Sequence, residues 1–272
     1  MSTQTTPPAY ADAPAGPPRR SGGTSLRVLA VVLALLLVAY GAVVLASLLA
    51  RETRTSTDTF QGISSIQLDT SFESVDVIGS DVTSVDVDRR WTWSMKEPTV
   101  RTRQVGDRLV VSSSCPFSPG LPCTGRVQLT VPSDVAVLGG SSDGHLLLSD
   151  LTGPIDVHNA DGGVELRDVT GRLRLSTSDG SVQAEGLTSD QVLVDTSDGS
   201  VRLSFTTPPT TVRAATSDGS LEIVVPKDGT AYAVTVSVSD GSQQVDVPTD
   251  PESARKISIH TSDGSVRVLP AG

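Results

Sequence analysis

Seven aspartates, each followed by glycine, are the residues whose type and spacing could do chemistry: Asp143, Asp161, Asp179, Asp198, Asp218, Asp240 and Asp263. Their successive intervals are 18, 18, 19, 20, 22 and 23 residues. Four lie in the pentapeptide Thr-Ser-Asp-Gly-Ser, which begins at Thr177, Thr196, Thr216 and Thr261. If the copies stack, their carboxylates repel by roughly 1 kcal/mol per neighbour in water, and a calcium ion would relieve that. The structural reading competes: aspartate can bond its own downstream backbone, and glycine takes positive φ without a Cβ penalty. The nonapeptide calcium roll places its aspartate two residues after glycine, a different spacing, so the turn role leads and the calcium ladder is the alternative.

The other reactive side chains are few. His145, His158 and His260 fall in different copies without a nucleophile motif. Glycoside cleavage needs paired carboxylates in a cleft, usually beside aromatic sugar platforms. From residue 139 onward the aromatics are only Phe205 and Tyr232. No catalytic or cofactor-binding residues are therefore expected, and an enzyme is the weakest reading. With three His and two Cys, a His-rich or Cys-rich zinc module is excluded. Cys115 and Cys123 flank a Pro-rich stretch, Pro116 to Pro122, and should form a disulfide in an oxidising compartment; two free thiols are the alternative. A net charge of −10 excludes a nucleic-acid-binding face.

Positioning these residues requires short strands. Apolar residues alternate before each turn, as in Ile155/Val157, Leu173/Leu175, Val192/Val194, Val212/Ala214, Val234/Val236 and Ile257/Ile259. They alternate again after it, as in Val164/Leu166, Val182/Ala184, Val201/Leu203, Leu221/Ile223 and Val266/Val268. Period two with one buried face, repeated at about 20 residues, predicts an all-β stack of two-stranded rungs, a β-solenoid. Seven rungs at about 4.8 Å would stand roughly 34 Å tall. Aromatics are 3% of the chain, so small aliphatic side chains must fill the core. Inward parity continues to Thr177, Thr196, Thr216 and Thr261, which should form a hydroxyl ladder. Residues 60–138 read as an irregular β cap of the same domain, with Trp91 and Trp93 filling the cap, and residues 139–270 as the repeat region. A two-sheet sandwich is the structural competitor.

Upstream, residues 1–27 are rich in Pro, Thr, Ala and Gly and read as a disordered cytoplasmic tail. Residues 28–50 carry no charge, enough for a transmembrane helix of roughly 34 Å, and residues 51–59 read as a linker. A signal peptide normally has about 7–15 apolar residues and a small-x-small cleavage site, which Leu48-Leu49-Ala50-Arg51 does not supply. Arg19, Arg20 and Arg27 before the span outnumber Arg51 and Arg54 after it, which places the N-terminus in the cytoplasm and residues 51–272 outside a single-pass cell membrane span.

The anchor, the degenerate leading strands, the phrase Val131-Pro132-Ser133-Asp134-Val135 and the Ser-Asp-Gly turns resemble the bacterial putative-adhesin family of β-strand-repeat domains of unknown function. The resemblance covers about residues 60 to 270. It implies a β-solenoid-like envelope domain with no cofactor and no catalytic residues to carry over. The expected role is a putative adhesin or cell-envelope scaffold whose partners are the membrane and another envelope protein or surface glycan. The alternative is an envelope-stress or regulatory component that binds a membrane partner.

Overall fold

A computed structural model describes residues 23–116 and 123–272, in two compact units divided between Ala46 and Ser47. The tail expected over 1–27 lies outside the described residues up to position 22. From Gly23 the chain is already helical, because Thr24 to Arg27 continue into the apolar run without a proline or a turn signal. Helix α1 (Gly23–Leu49) contains a 23-residue stretch, Arg27–Leu49, long and apolar enough to cross a membrane.

The second unit is almost entirely strand. Its first part holds β1 (Glu52–Gln61), β2 (Ser65–Thr70), β3 (Glu73–Ser80), β4 (Ser84–Trp93), β5 (Thr99–Val105), β6 (Arg108–Ser114) and β7 (Thr124–Pro132). The repeat follows with β8 (Ala136–Ser141), β9 (Leu146–Ser149), β10 (Ile155–Asn159), β11 (Val164–Arg167), β12 (Leu173–Thr177), β13 (Val182–Leu187), β14 (Gln191–Thr196), β15 (Val201–Phe205), β16 (Thr211–Thr216) and β17 (Leu221–Val225). Two long strands end the chain, β18 (Ala233–Val245) and β19 (Lys256–Pro270). All belong to one 19-stranded sheet that wraps, nearly closed, around a single core.

From β8 to β17 the register is that of stacked rungs. One column of parallel strands runs β8–β10–β12–β14–β16, with Val137, Ile155, Leu173, Val192 and Val212 in line. The other runs β9–β11–β13–β15–β17, with Leu146, Val164, Val182, Val201 and Leu221 in line. These residues are at most 2% exposed. The two inner faces meet as aliphatic columns, each side chain contributing about 1.5–3 kcal/mol by leaving water.

Both ends depart from chain order. Strand β19 pairs with β16 and β17 on one side and with β18 on the other, so the last strand of the chain is inserted ahead of its predecessor. At the opposite end β2 lies between β6 and β8, and β3 between β7 and β9. Two strand pairs upstream of residue 139 are therefore full rungs. The irregularity expected there belongs to β1, β4 and β5, which pair antiparallel: β1 with β4, β4 with β7, and β5 with β6.

Residues 51–59, read as a linker, form most of β1. Thr53, Thr55, Thr57 and Thr59 are β-branched and favour extended backbone; Thr57 and Thr59 hydroxyls donate to Asp88 (2.6 Å) and Asp86 (2.7 Å) across the pair. Trp91 is buried on β4 and Trp93 half-buried, so this strand face fills the cap.

Candidate functional site

The Asp-Gly corners between β8 and β17 draw on three kinds of contact, while Asp240-Gly241 and Asp263-Gly264 lie within the continuous strands β18 and β19. The backbone N–H of aspartate donates to the preceding rung: Asp161 to Ser142 (2.9 Å), Asp179 to Ala160 (3.0 Å), Asp198 to Ser178 (2.9 Å) and Asp218 to Ser197 (3.0 Å). The hydroxyl two residues before aspartate accepts from the glycine N–H of its own turn, as at Ser141–Gly144 (3.1 Å), Thr177–Gly180 (3.2 Å), Thr196–Gly199 (3.2 Å) and Thr216–Gly219 (3.1 Å). The same threonine hydroxyls donate to carbonyls of the preceding rung, Thr177 to Ala160 (3.2 Å) and Thr216 to Ser197 (3.1 Å). The expected hydroxyl ladder is therefore a set of bridges from hydroxyl to backbone, not from hydroxyl to hydroxyl.

Most of the glycines have a reason other than the one expected. Of the seven Asp-Gly glycines, Gly241 (153°) and Gly264 (154°) have positive φ as expected, whereas Gly144, Gly162, Gly180, Gly199 and Gly219 do not. Their requirement is contact: a Cβ on Gly180 would lie 2.0 Å from the Gly162 carbonyl oxygen, and one on Gly199 2.0 Å from that of Gly180. Positive φ occurs at the second corner, at Asp150 (58°), Asp168 (52°) and Gly186 (69°), spaced 18 residues apart. Aspartate tolerates that left-handed region better than most residues, so its recurrence there was the sequence signal for it.

All seven aspartates of the Asp-Gly copies are exposed. The Asp198 carboxyl is pushed above the usual carboxylate range, first by partial desolvation and then by the charges of Asp218 and Asp179 on either side. Among the described residues no three His, Cys, Asp or Glu side chains converge closely enough to hold a metal ion. The stacked carboxylates thus act as a column of mutual repulsion along one edge.

The outward faces carry paired charges. In the β11–β19 column Glu165, Gln183, Arg202, Glu222 and Arg267 are in line. Arg202 and Arg267 reach Glu222 at 3.3 and 3.8 Å, and Arg167 and His145 reach Glu165. Such exposed pairs contribute at most about 1 kcal/mol each. On the other face His158, Ser176 and Asp195 occupy successive rungs. Serine stands between histidine and aspartate, so the aspartate is two rungs, roughly 9.6 Å, from the imidazole it would have to orient. That order does not make a hydrolytic triad, and His260 lies farther along the same column beside Ala215.

Two features sit at the β6–β7 end. Cys115 and Cys123 are joined by a disulfide with Cα atoms 6.0 Å apart; residues 117–122 between them lie outside the described residues. Glu73, 1% exposed, occupies the register position that glycine fills in later corners, as Thr70-Ser71-Phe72-Glu73-Ser74 aligns with Ser141-Ser142-Asp143-Gly144-His145. Burial pushes the Glu73 carboxyl up, against the Ser113 hydroxyl and the Phe72 N–H, which both donate to it. The sequence signal for this seat was the degenerate Thr-Ser-x-x-Ser copy, which lacks Asp-Gly.

These features define a class: a β-repeat protein of stacked parallel rungs with an apolar N-terminal helix, lacking a convergent reactive centre among the described residues. The chain belongs to the Toastrack DUF4097 family, whose model matches residues 133–269, just over half of it. This bears out the resemblance to a family of β-strand-repeat domains of unknown function. The match begins at 133, later than residue 60, where the period is broken by the antiparallel strands and the Cys115–Cys123 loop. A putative cell adhesion protein from Clostridium sporogenes is 8% identical over 81% of this chain and 100% of its own, with a TM-score of 0.36. A putative adhesin from Parabacteroides merdae is 14% identical over 81% of this chain and 97% of its own, with a TM-score of 0.43. No curated protein matches the chain.

Proposed function

We propose that the protein is a single-pass, membrane-anchored β-solenoid that stands outside the cell membrane and acts, without catalysis, as an adhesin or envelope scaffold. The observation that carries this reading is the parallel register from β8 to β17, broken only by one shift between Ala184 and Leu187 in the β13–β15 pair. Every second side chain on both columns points outward at a fixed spacing of about 4.8 Å, which makes a rigid template for another surface molecule. The membrane placement is supported by the Arg27–Leu49 stretch and the excess of basic residues before it. The partner in this reading is an envelope protein or surface glycan.

Protease added to intact cells tests the placement: residues 51–272 should be degraded while an N-terminal tag survives. Protection of the β unit until the membrane is opened would overturn it. Photo-crosslinkers placed at Gln183 and Arg213 in living cells should capture an envelope component, and a crosslinking pattern no different from that of a buried control position would count against the template role.

A further inference from the structure

The β10–β19 face gathers three arginines without a carboxylate partner around one groove, whereas the other arginines outside ion pairs among the described residues of the β unit, Arg51, Arg90, Arg101, Arg103, Arg108 and Arg255, do not line it. Arg54, Arg89, Arg126, Arg167, Arg202 and Arg267 each meet a carboxylate. Among the described residues Arg172, Arg174 and Arg213 are in no ion pair, although the chain has ten more acidic than basic residues. The three surround a shallow groove of about 210 Å³ whose floor is Leu193, flanked by Gln191 and Thr211. No carboxylate lines it. Arg174, Leu193 and Arg213 are successive in one outward column, and Gln191, Thr211 and Lys256 follow one another in the next. The nearest acid in register is Asp156, one rung beyond Arg174 on the side away from the groove.

We propose that this groove binds a carboxylated oligosaccharide, an inference that rests on the extracytoplasmic template reading and names the partner's chemistry. Guanidinium forks match carboxylates in two parallel hydrogen bonds, and Arg174 and Arg213 stand two ladder spacings apart, roughly 9.6 Å, so they engage charges that recur along a chain. Leu193 between them offers an apolar floor for the C–H face of a sugar ring. Gln191 and Thr211 supply neutral donors and acceptors for its hydroxyls. A groove of this volume is smaller than the roughly 300–1,000 Å³ of a site that encloses a whole small ligand, so it seats one unit of a longer polymer. A polyphosphate has no apolar face for Leu193. An acidic peptide would add to a strand edge, whereas this is the middle of a sheet face.

The test is calorimetric titration of the full chain in nanodiscs of neutral lipid with a galacturonate hexamer. Its methyl-esterified form, inorganic polyphosphate and a polyglutamate peptide serve as comparisons. The hexamer should bind, and esterification should weaken it at least 10-fold. The double variant Arg174→Gln/Arg213→Gln should weaken it at least 30-fold with an unchanged melting temperature, and Arg174→Lys/Arg213→Lys should fall between. Arg202→Gln on the opposite face should change nothing. Absence of binding, equal binding of the ester, an unaffected double variant, or tighter binding of polyphosphate or peptide would overturn the proposal. Protease access in intact cells is read separately, so a wrong placement and a wrong ligand give different results.

Discussion

Between β8 and β17 the rungs lie in the order in which the chain makes them, whereas at both ends that order is exchanged. In the middle each rung reaches the next through a short corner. At the ends a rung is skipped and filled by another segment: β2–β3 goes between β6–β7 and β8–β9, and β19 between β16–β17 and β18. The alternating inner residues decide that a strand belongs to the stack, and they do not decide its place. The connections permit the exchange because loop closure grows slowly, about 0.6 kcal/mol per doubling of length. Inserting β19 pairs it on both edges. The exposed rung is instead β18, whose Val234 and Val236 are only half-buried while Ile257 and Ile259 of β19 are at most 2% exposed.

This contrast sets the order of expected effects, all measured as unfolding of the full chain in detergent micelles. Gly199→Val should be the most damaging, at about 5 kcal/mol or more, because its side chain must displace the Gly180 backbone of the rung beneath. Its control, Gly229→Ala in open space at φ +82°, stands outside that order and should cost only about 1 kcal/mol, from backbone strain alone. Next, Leu175→Ala in the middle should lose about 2–5 kcal/mol and Val234→Ala on the end rung less than about 1 kcal/mol. Equal losses would erase the distinction between middle and end. Replacing both Cys115 and Cys123 by Ser should cost about 2–3 kcal/mol, since the bond closes a loop of eight residues in separation.

Two smaller effects concern pH. The folded-state pKa of Glu73 lies above its ordinary value of 4.5, so its favourable contribution is complete below that value and is lost as pH rises through the raised one. Glu73→Gln should therefore raise the melting temperature near neutral pH and leave it unchanged in acid. Asp198 shifts the same way, so Asp198→Asn should give a slight rise at neutral pH, the smallest effect of the series, and a chelator should move neither curve. A large chelator-dependent drop would revive the calcium ladder.

Much of the fold was legible. Alternation at Leu173/Leu175 or Val201/Leu203 named the inner residues correctly because burial on one face of a strand leaves a period of two. The corner copies marked where strands turn. What the sequence did not carry was order, since Val234/Val236 and Ile257/Ile259 present equivalent inner faces and either could lie on Val212/Ala214. It also hid why glycine recurs: conformational freedom and close backbone approach select the same residue, and only stacked coordinates separate them. The strand at 52–61 was missed because its alternating residues are threonines rather than aliphatics. The arginine groove was missed for a related reason. Arg174 and Arg213 are 39 positions apart, and their shared column exists only once the rungs are in register.

The inserted rung can be tested at one point. Ser220 and Ser265 face each other across β17 and β19 with hydroxyl oxygens 3.1 Å apart, and Ser242 of β18 lies beyond Ser265. Non-reducing mass spectrometry of the Ser220→Cys/Ser265→Cys variant should show a spontaneous second disulfide beside Cys115–Cys123. The Ser220→Cys/Ser242→Cys variant, about two ladder spacings or roughly 9.6 Å apart, should leave both new thiols free. A bond from position 220 to 242 and none to 265 would mean that the rungs stack in chain order, contradicting the inserted strand.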